Sequence, residues 1–275
     1  MIGSLKPVSV MTHASPLDVV PVWVFFVAVA LITLVPIEVG QRLGARRRGK
    51  DDHEPEGPVG SVVGATLGLL GFIVALTVGA TTARFDARKE AIIDGVNAIE
   101  TAYRNASLLP DPHRSECRQL LRDYVEVRVK MPELFGDPDG LRVLDGKVRN
   151  LQQSLWSHAE ALAREDRSSE VYALFTSSLN EVDQLYNKRI IMGAQHRIPF
   201  LVWVVLFVVT IITMLGVGFQ FGLAGSRSLT ANFMLALTFS LVISLIFDLD
   251  QPGKGWVNVN QQPMSDLNER LHAHE

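Results

Sequence analysis

The chain has 275 residues, of which 48% are hydrophobic and 20% charged, and its formal net charge is −3. This composition excludes an intrinsically disordered chain, and it argues against a nucleic-acid-binding protein, because such a protein needs excess positive charge to neutralise phosphates. The single cysteine, Cys117, excludes an internal disulfide framework and a cysteine-based metal cluster.

Four stretches of 19 to 29 residues contain no Asp, Glu, Lys or Arg. A bilayer core about 30 Å thick needs roughly 20 apolar residues in an α-helix, so each stretch is long enough to cross it. A buried core helix of a soluble protein seldom stays free of charge for this length. The sequence therefore predicts an all-α membrane protein with four transmembrane helices, within residues 19–37, 57–83, 198–226 and 228–247.

Residues 1–56 are predicted to hold an N-terminal segment, the first transmembrane helix (about residues 19–41) and a basic loop that includes Arg46, Arg47 and Arg48. Basic residues also flank the long central segment, which lies on the opposite side of the membrane if all four helices span it. The positive-inside rule therefore favours a cytoplasmic central segment by a small margin. The expected location is the cell (inner) membrane, with the lipid bilayer as one partner.

The central segment, residues 84–197, carries 17 basic and 18 acidic residues and is predicted to lie outside the membrane. Its first apolar residues follow a helical period, and no helix-breaking residue occurs between Gly60 and Leu109. The second transmembrane helix (57–83) is therefore predicted to continue into this segment as one rod of about 75 Å. Pro110 ends it.

Three further amphipathic helices are predicted before residue 198, separated by Pro132 with the 136–140 cluster and by Ser168 or Ser169. Four such helices would bury their apolar faces against one another. The predicted fold is two transmembrane hairpins flanking an extramembrane four-helix bundle, with residues 198–247 as the second hairpin and 248–275 as a tail. The apolar faces of the last three helices are Leu120, Tyr124, Val127 and Met131; Leu141, Leu144, Val148, Leu151, Leu155 and Leu162; and Phe175, Leu179, Val182, Tyr186 and Ile190.

No constellation typical of an enzyme is present. The sequence lacks a P-loop, an H-E-x-x-H zinc motif, a G-x-S-x-G elbow and a dinucleotide-binding glycine pattern. The seven histidines are spread along the chain apart from a terminal pair, His272 and His274. We therefore expect no catalytic residue, no metal site and no cofactor.

Small and apolar residues recur on one side of the second transmembrane helix. Gly60, Gly64 and Gly68 are four residues apart, a spacing that allows close helix packing in lipid. One interpretation is packing within a single subunit. The other places this side on a symmetry axis, where Phe72 and Leu76 would form a hydrophobic constriction. The predicted pore-lining residues are then Gly68, Phe72, Leu76, Gly79 and Ala83, and those of the pore mouth are Arg84, Asp86 and Arg88, whose arginines could attract anions such as chloride.

Asp248 and Asp250 end the fourth transmembrane stretch. Carboxylates are costly inside a bilayer, so these two mark the membrane exit or a hydrated vestibule. Two carboxylates with loop carbonyls are a conceivable cation site, but Pro252 and Gly253 favour a simple helix end.

Several of these runs resemble the bestrophin-like domain family of bacterial membrane proteins, whose function is largely uncharacterised. The resemblance covers most of the chain and is carried by the runs 84–90 (RFDARKE), 97–99 (NAI), 108–110 (LLP) and 248–255 (DLDQPGKG).

Residues 70–76 (LGFIVAL) are also similar, more distantly, to the neck of bestrophins, which are pentameric anion channels. This resemblance implies that Phe72 and Leu76 line a neck and that the central bundle and both termini are cytoplasmic. The acidic run that binds calcium in animal bestrophins has no counterpart beyond Asp248 and Asp250, so calcium gating is not expected.

Two functions remain in competition. The first is a homo-oligomeric ion channel, for anions and pentameric if it follows the bestrophins, with its neck on the second transmembrane helix. The second is a membrane-anchored sensor or scaffold whose helical bundle binds a partner protein.

Overall fold

The computed structural model describes residues 20–48, 56–134, 137–195, 198–225, 228–251 and 255–273, and in these ranges the protein is helical, without a β-strand. The helices are α1 (Val22–Arg48), α2 (Glu56–Ala106), α3 (His113–Lys130), α4 (Pro138–Glu165), α5 (Glu170–Gln195), α6 (Phe200–Leu223), α7 (Leu229–Asp250) and α8 (Gln262–Ala273), with a 3₁₀ turn at Met131–Leu134.

Four helices, α1, α2, α6 and α7, are long and apolar enough to cross a membrane, which confirms the predicted number of transmembrane helices. The protein is therefore a multi-pass membrane protein. Helix α2 has 51 residues and ends at Ala106, so it forms the predicted continuous rod of about 75 Å. Helix α1 continues to Arg48, so the arginines expected in a loop form its last turn instead.

The spanning helices do not pack in the order of the chain. Helix α1 lies along α6 and also contacts α7, while α2 packs against α5, α6 and α7. Among the described residues, no Cα atom of α1 lies within 8 Å of one in α2, and the same holds for α6 and α7. The two hairpins are consecutive in the chain, but they interlock rather than form separate packing units.

Helices α1 and α6 approach so closely that only glycine fits at their crossing. A Cβ atom on Gly218 would lie 2.0 Å from the carbonyl oxygen of Ile37, and one on Gly40 would lie 2.1 Å from that of Leu215. Gly44 and Gly222 are equally constrained one turn further on, so each helix carries two glycines spaced by four. This is the small-residue pattern that lets helix backbones touch in lipid.

At the other end of α1 and α6, an aromatic cluster joins these two helices to α7. The rings of Phe25 in α1 and Phe247 in α7 stack at 3.8 Å, and Trp203 in α6 meets Phe25 edge-on at 5.7 Å. These residues lie in the first turns of α1 and α6 and the last turns of α7. The beginning of α1 and the extramembrane bundle are therefore at the same end of the spanning helices.

The extramembrane bundle contains the four predicted helices, namely the second half of α2 with α3, α4 and α5, and one more. The fifth is α8, which inserts Met264, Leu267 and Leu271 into the same core. The sequence pattern predicts only a tail in this region, because a helix of 12 residues with three apolar positions gives a weak periodic signal. Other fully buried members of the core include Ile99, Leu121, Tyr124, Leu155, Leu162 and Phe175.

Replacing Gly218 with valine should prevent the α1–α6 crossing from closing. The new Cβ would meet backbone atoms of Ile37, which cannot rotate away, so we expect a loss of stability of about 3 kcal/mol or more. Thermal unfolding in detergent measures the effect. The control is Gly146→Ala in α4, where a Cβ meets nothing within 4 Å, and whose stability should be unchanged or slightly raised. Equal stability of Gly218→Val and the wild type would contradict this packing.

Candidate functional site

One side of α2 is open along the spanning region. The side chains of Phe72 and Leu76 are 62% and 59% exposed, whereas Leu70 and Val74 on the other side are buried. Among the residues that the structure describes, no atom lies within 4 Å of a Cβ built on Gly64, Gly68 or Gly79. Packing within one subunit, the first interpretation of this glycine pattern, therefore applies only to Gly60, which contacts Gln220.

We call the exposed residues Gly68, Phe72, Leu76, Gly79 and Ala83 the α2 stripe. Steps of three and four residues keep them on one side of the helix, and Asp86 and Glu90 continue the same side beyond the spanning region. Both of these acidic residues are exposed. The stripe therefore passes from small and apolar residues to acidic ones where α2 enters the bundle.

The two arginines predicted at the pore mouth lie elsewhere. The Arg88 guanidinium donates to the carbonyl oxygen of Leu249 at 2.8 Å, and Arg84 Nη1 lies 3.8 Å from Asp250 Oδ1. Both arginines thus point to the end of α7, away from the α2 stripe. Asp86 is the one predicted mouth residue that shares the side of Phe72.

The two membrane-exit carboxylates hold chain segments together. Asp248 is 3% exposed, and its two oxygens accept the backbone N–H groups of Trp256 and Val257 at 2.7 and 2.9 Å. Asp250 accepts the N–H of Ile198 at 3.1 Å, just before α6 begins. This arrangement supports the helix-end interpretation. Over the described ranges, no group of three or more His, Cys, Asp or Glu side chains could hold a metal ion.

Two features of the bundle bear on reactivity. Burial and the neighbouring Glu116 charge raise the pKa of Cys117 to about 12, so this thiol stays protonated at neutral pH. The Nδ1 atoms of His113 and His158 are 3.0 Å apart, although the residues are far apart in sequence. No sequence spacing connects these two histidines, so only the packing of α3 against α4 reveals the pair.

Replacing Asp248 with asparagine should release the segment after α7. The amide offers one acceptor oxygen where the carboxylate offers two, so one partly buried N–H group loses its partner, and we expect the stability to fall by about 2 kcal/mol. Thermal unfolding and limited proteolysis between residues 255 and 261 measure the change. Asp266→Asn, at an exposed position of α8, is the matched control. Wild-type protease resistance in Asp248→Asn would contradict this role.

Comparison with known proteins agrees with the sequence resemblance. Residues 24–264 match the family defined by a bestrophin-like domain. No curated protein sequence matches the chain.

Similar folds occur among solved structures. A variant of a bacterial bestrophin homolog from Klebsiella pneumoniae is 17% identical, with 91% of this chain and 96% of that chain covered and a TM-score of 0.59. A second variant of that homolog is 16% identical, with 90% and 98% covered and a TM-score of 0.61. A structure described as a membrane protein is 18% identical, with 90% and 95% covered and a TM-score of 0.61. At these identities the similarity establishes a shared fold.

Proposed function

The chain belongs to the bestrophin-like domain family, and from this we propose that it forms a homo-oligomeric ion channel whose pore is lined by the α2 stripe. The observation that carries the proposal is the exposure of this stripe. Small residues on a spanning helix normally serve close packing, yet a Cβ atom on Gly64, Gly68 or Gly79 would meet no atom of the described part of the chain within 4 Å. In a ring of identical subunits, this side of α2 would face the shared symmetry axis.

The burial of the spanning helices supports the same arrangement. In the most apolar 18-residue stretch of each spanning helix, 22% of the residues are buried in α2, against 33% in each of α1, α6 and α7. Over this stretch α2 is thus the least covered of the four helices, although its second half is packed in the bundle. In a ring of five, as the resemblance to bestrophins implies, the five copies of α2 would surround the axis.

Phe72 and Leu76 are the large apolar side chains of the stripe, one helical turn apart. In a ring they would form two successive apolar constrictions, between the small residues Gly68 and Gly79. A narrow apolar constriction excludes water and ions until it widens. The proposed mechanism is therefore a hydrophobic gate, which opens when the α2 rods rotate or tilt.

Alanine at Phe72 or Leu76 should weaken this gate. We expect ion flux through proteoliposomes to rise, on the order of tenfold, because a wider constriction stays hydrated. The control is Leu31→Ala on α1, where a side chain of similar exposure (56%) lies on another helix and flux should not change. Unchanged flux in both α2 variants, with normal folding and assembly, would contradict the gate.

The charge on the stripe bears on the sign of the permeating ion. The resemblance to bestrophins implies anions, but Arg84 and Arg88, the arginines expected to attract them, contact the end of α7. Asp86 and Glu90 are the charged residues that continue the stripe. Rings of carboxylates raise the local cation concentration and repel anions. We therefore propose a preference for cations, with chloride as the alternative.

Reversal potentials in a salt gradient test this preference. The wild type should shift toward the cation equilibrium potential, and Asp86→Asn with Glu90→Gln should reduce the cation-to-anion permeability ratio severalfold, because the carboxylate rings are lost. Glu165→Gln, at an exposed position of α4, should leave the ratio unchanged. Anion selectivity in the wild type would contradict the cation preference and favour chloride as the permeating ion.

The bundle also leaves two leucines exposed at its membrane-distal end. Leu108 and Leu174 are 61% and 55% exposed, and the Asn105 amide bonds the Leu174 carbonyl, so the two surfaces adjoin. This pair favours the second candidate function, a scaffold that binds a partner protein. The two functions are compatible, and only the channel requires ion flux.

As part of the proposal, the bundle lies in the cytoplasm.

A further inference from the structure

Two arginines of the extramembrane bundle, the buried Arg128 and the partly buried Arg189, have no carboxylate partner among the residues that the structure describes. Arg128 comes from the end of α3, and Arg189 from the part of α5 that leads toward α6. No carboxylate oxygen lies within 4 Å of either guanidinium in the described part of the chain. Buried arginines are normally paired, because an isolated charge is costly to desolvate.

Arg128 is held firmly but is not neutralised. It is 3% exposed, and its Nη1 donates to the hydroxyl of Tyr124 at 2.9 Å. Its guanidinium lies 4.9 Å from the centre of the Tyr186 ring. Its Nε is buried and makes no hydrogen bond within the described structure. The tyrosines orient Arg128, but they supply no full negative charge.

Arg189 follows Tyr186 by three residues on α5, and the Tyr186 ring contacts the Arg128 guanidinium, so the two arginines are neighbours in the bundle. Burial, with the positive charge of Arg128 as a second cause, lowers the pKa of Arg189 to about 10. Its Nη2 donates to the Gln261 side chain at 3.3 Å, and its Nη1 is buried without a partner among the described residues. Each guanidinium therefore has a free donor where a counter-charge is missing.

The carboxylates near these tyrosines have other partners. Asp145 accepts from Tyr186 at 2.6 Å and from Arg149 at 2.9 Å. Asp183 accepts from the indole of Trp156 at 2.5 Å. Neither of these two carboxylates therefore pairs directly with Arg128 or Arg189.

We propose that a small oxyanion, carrying a carboxylate or phosphate group, binds between Arg128 and Arg189. Planar guanidinium groups match the oxygens of both ligands and give strong charge-assisted hydrogen bonds. The hydrogen bond to Tyr124 and the contact with the Tyr186 ring hold the Arg128 guanidinium in position.

The position of this site suggests its effect. Arg128 belongs to α3, Arg189 to α5, and Gln261 precedes α8, so a bound anion would join three elements. A Cβ on Gly95 of α2 would lie 4.0 Å from Arg128 Nη2, so the pore-lining rod also adjoins the site. Anion binding would stabilise the bundle where it connects to the spanning helices, whether or not the protein conducts ions.

Thermal unfolding of the full-length protein in detergent tests the site. The salts are sodium acetate, sodium phosphate and sodium chloride at equal ionic strength. In the wild type, acetate or phosphate should raise the apparent Tm above its value in chloride by about 2–6 °C. Arg128→Gln and Arg189→Gln should lose this rise, whereas Arg167→Gln, at an exposed position, should keep it.

The salts also distinguish the ligand groups. A rise in acetate indicates a carboxylate ligand, and a rise confined to phosphate indicates a phosphate ligand. If Arg128→Gln does not fold, the less buried Arg189→Gln carries the test. The proposal is overturned if the wild type has the same Tm in all three salts, or if Arg189→Gln keeps the full rise.

Discussion

The close crossing of α1 and α6 is the constraint on which the rest of the membrane region depends. Four glycines let the two backbones touch, with carbonyl oxygens where side chains would otherwise be. Helix α1 packs against α6 and α7, and in the described part of the chain it does not contact α2. Helix α2 is therefore packed on one side only, and the open side holds the α2 stripe.

Charged residues at the membrane exit join the spanning helices to the bundle. Arg88 bonds the end of α7, Asp250 bonds the start of α6, and Asp248 holds the segment that leads to α8. Helix α2 crosses this level without a break. A change in the bundle, such as anion binding at Arg128, can therefore reach Phe72 through one continuous helix. Arg84 and Arg88 thus contact the end of α7, and the acidic side of α2 is left to face the proposed pathway.

Much of the fold could be predicted from the sequence, because the absence of charge identifies the spans and helical periodicity identifies the bundle. The helical period also predicts the direction of Arg84 and Arg88 around α2. At 100° per residue they lie about 120° and 160° around the helix from Phe72, well away from the stripe. The spacings Gly40–Gly44 and Gly218–Gly222 were visible as well, but spacing alone does not say which helices meet. The pairs His113 with His158 and Arg128 with Arg189 join distant parts of the chain, and only tertiary packing brings them together.

The mass of the purified protein in mild detergent, measured by native mass spectrometry, tests the central claim most directly. A pore lined by the α2 stripe requires several copies of α2 around one axis. The account predicts a closed ring, with five subunits as the expected number. A monomer or a dimer that persists across mild detergents would contradict it, because no axis would then exist for Phe72 and Leu76 to line.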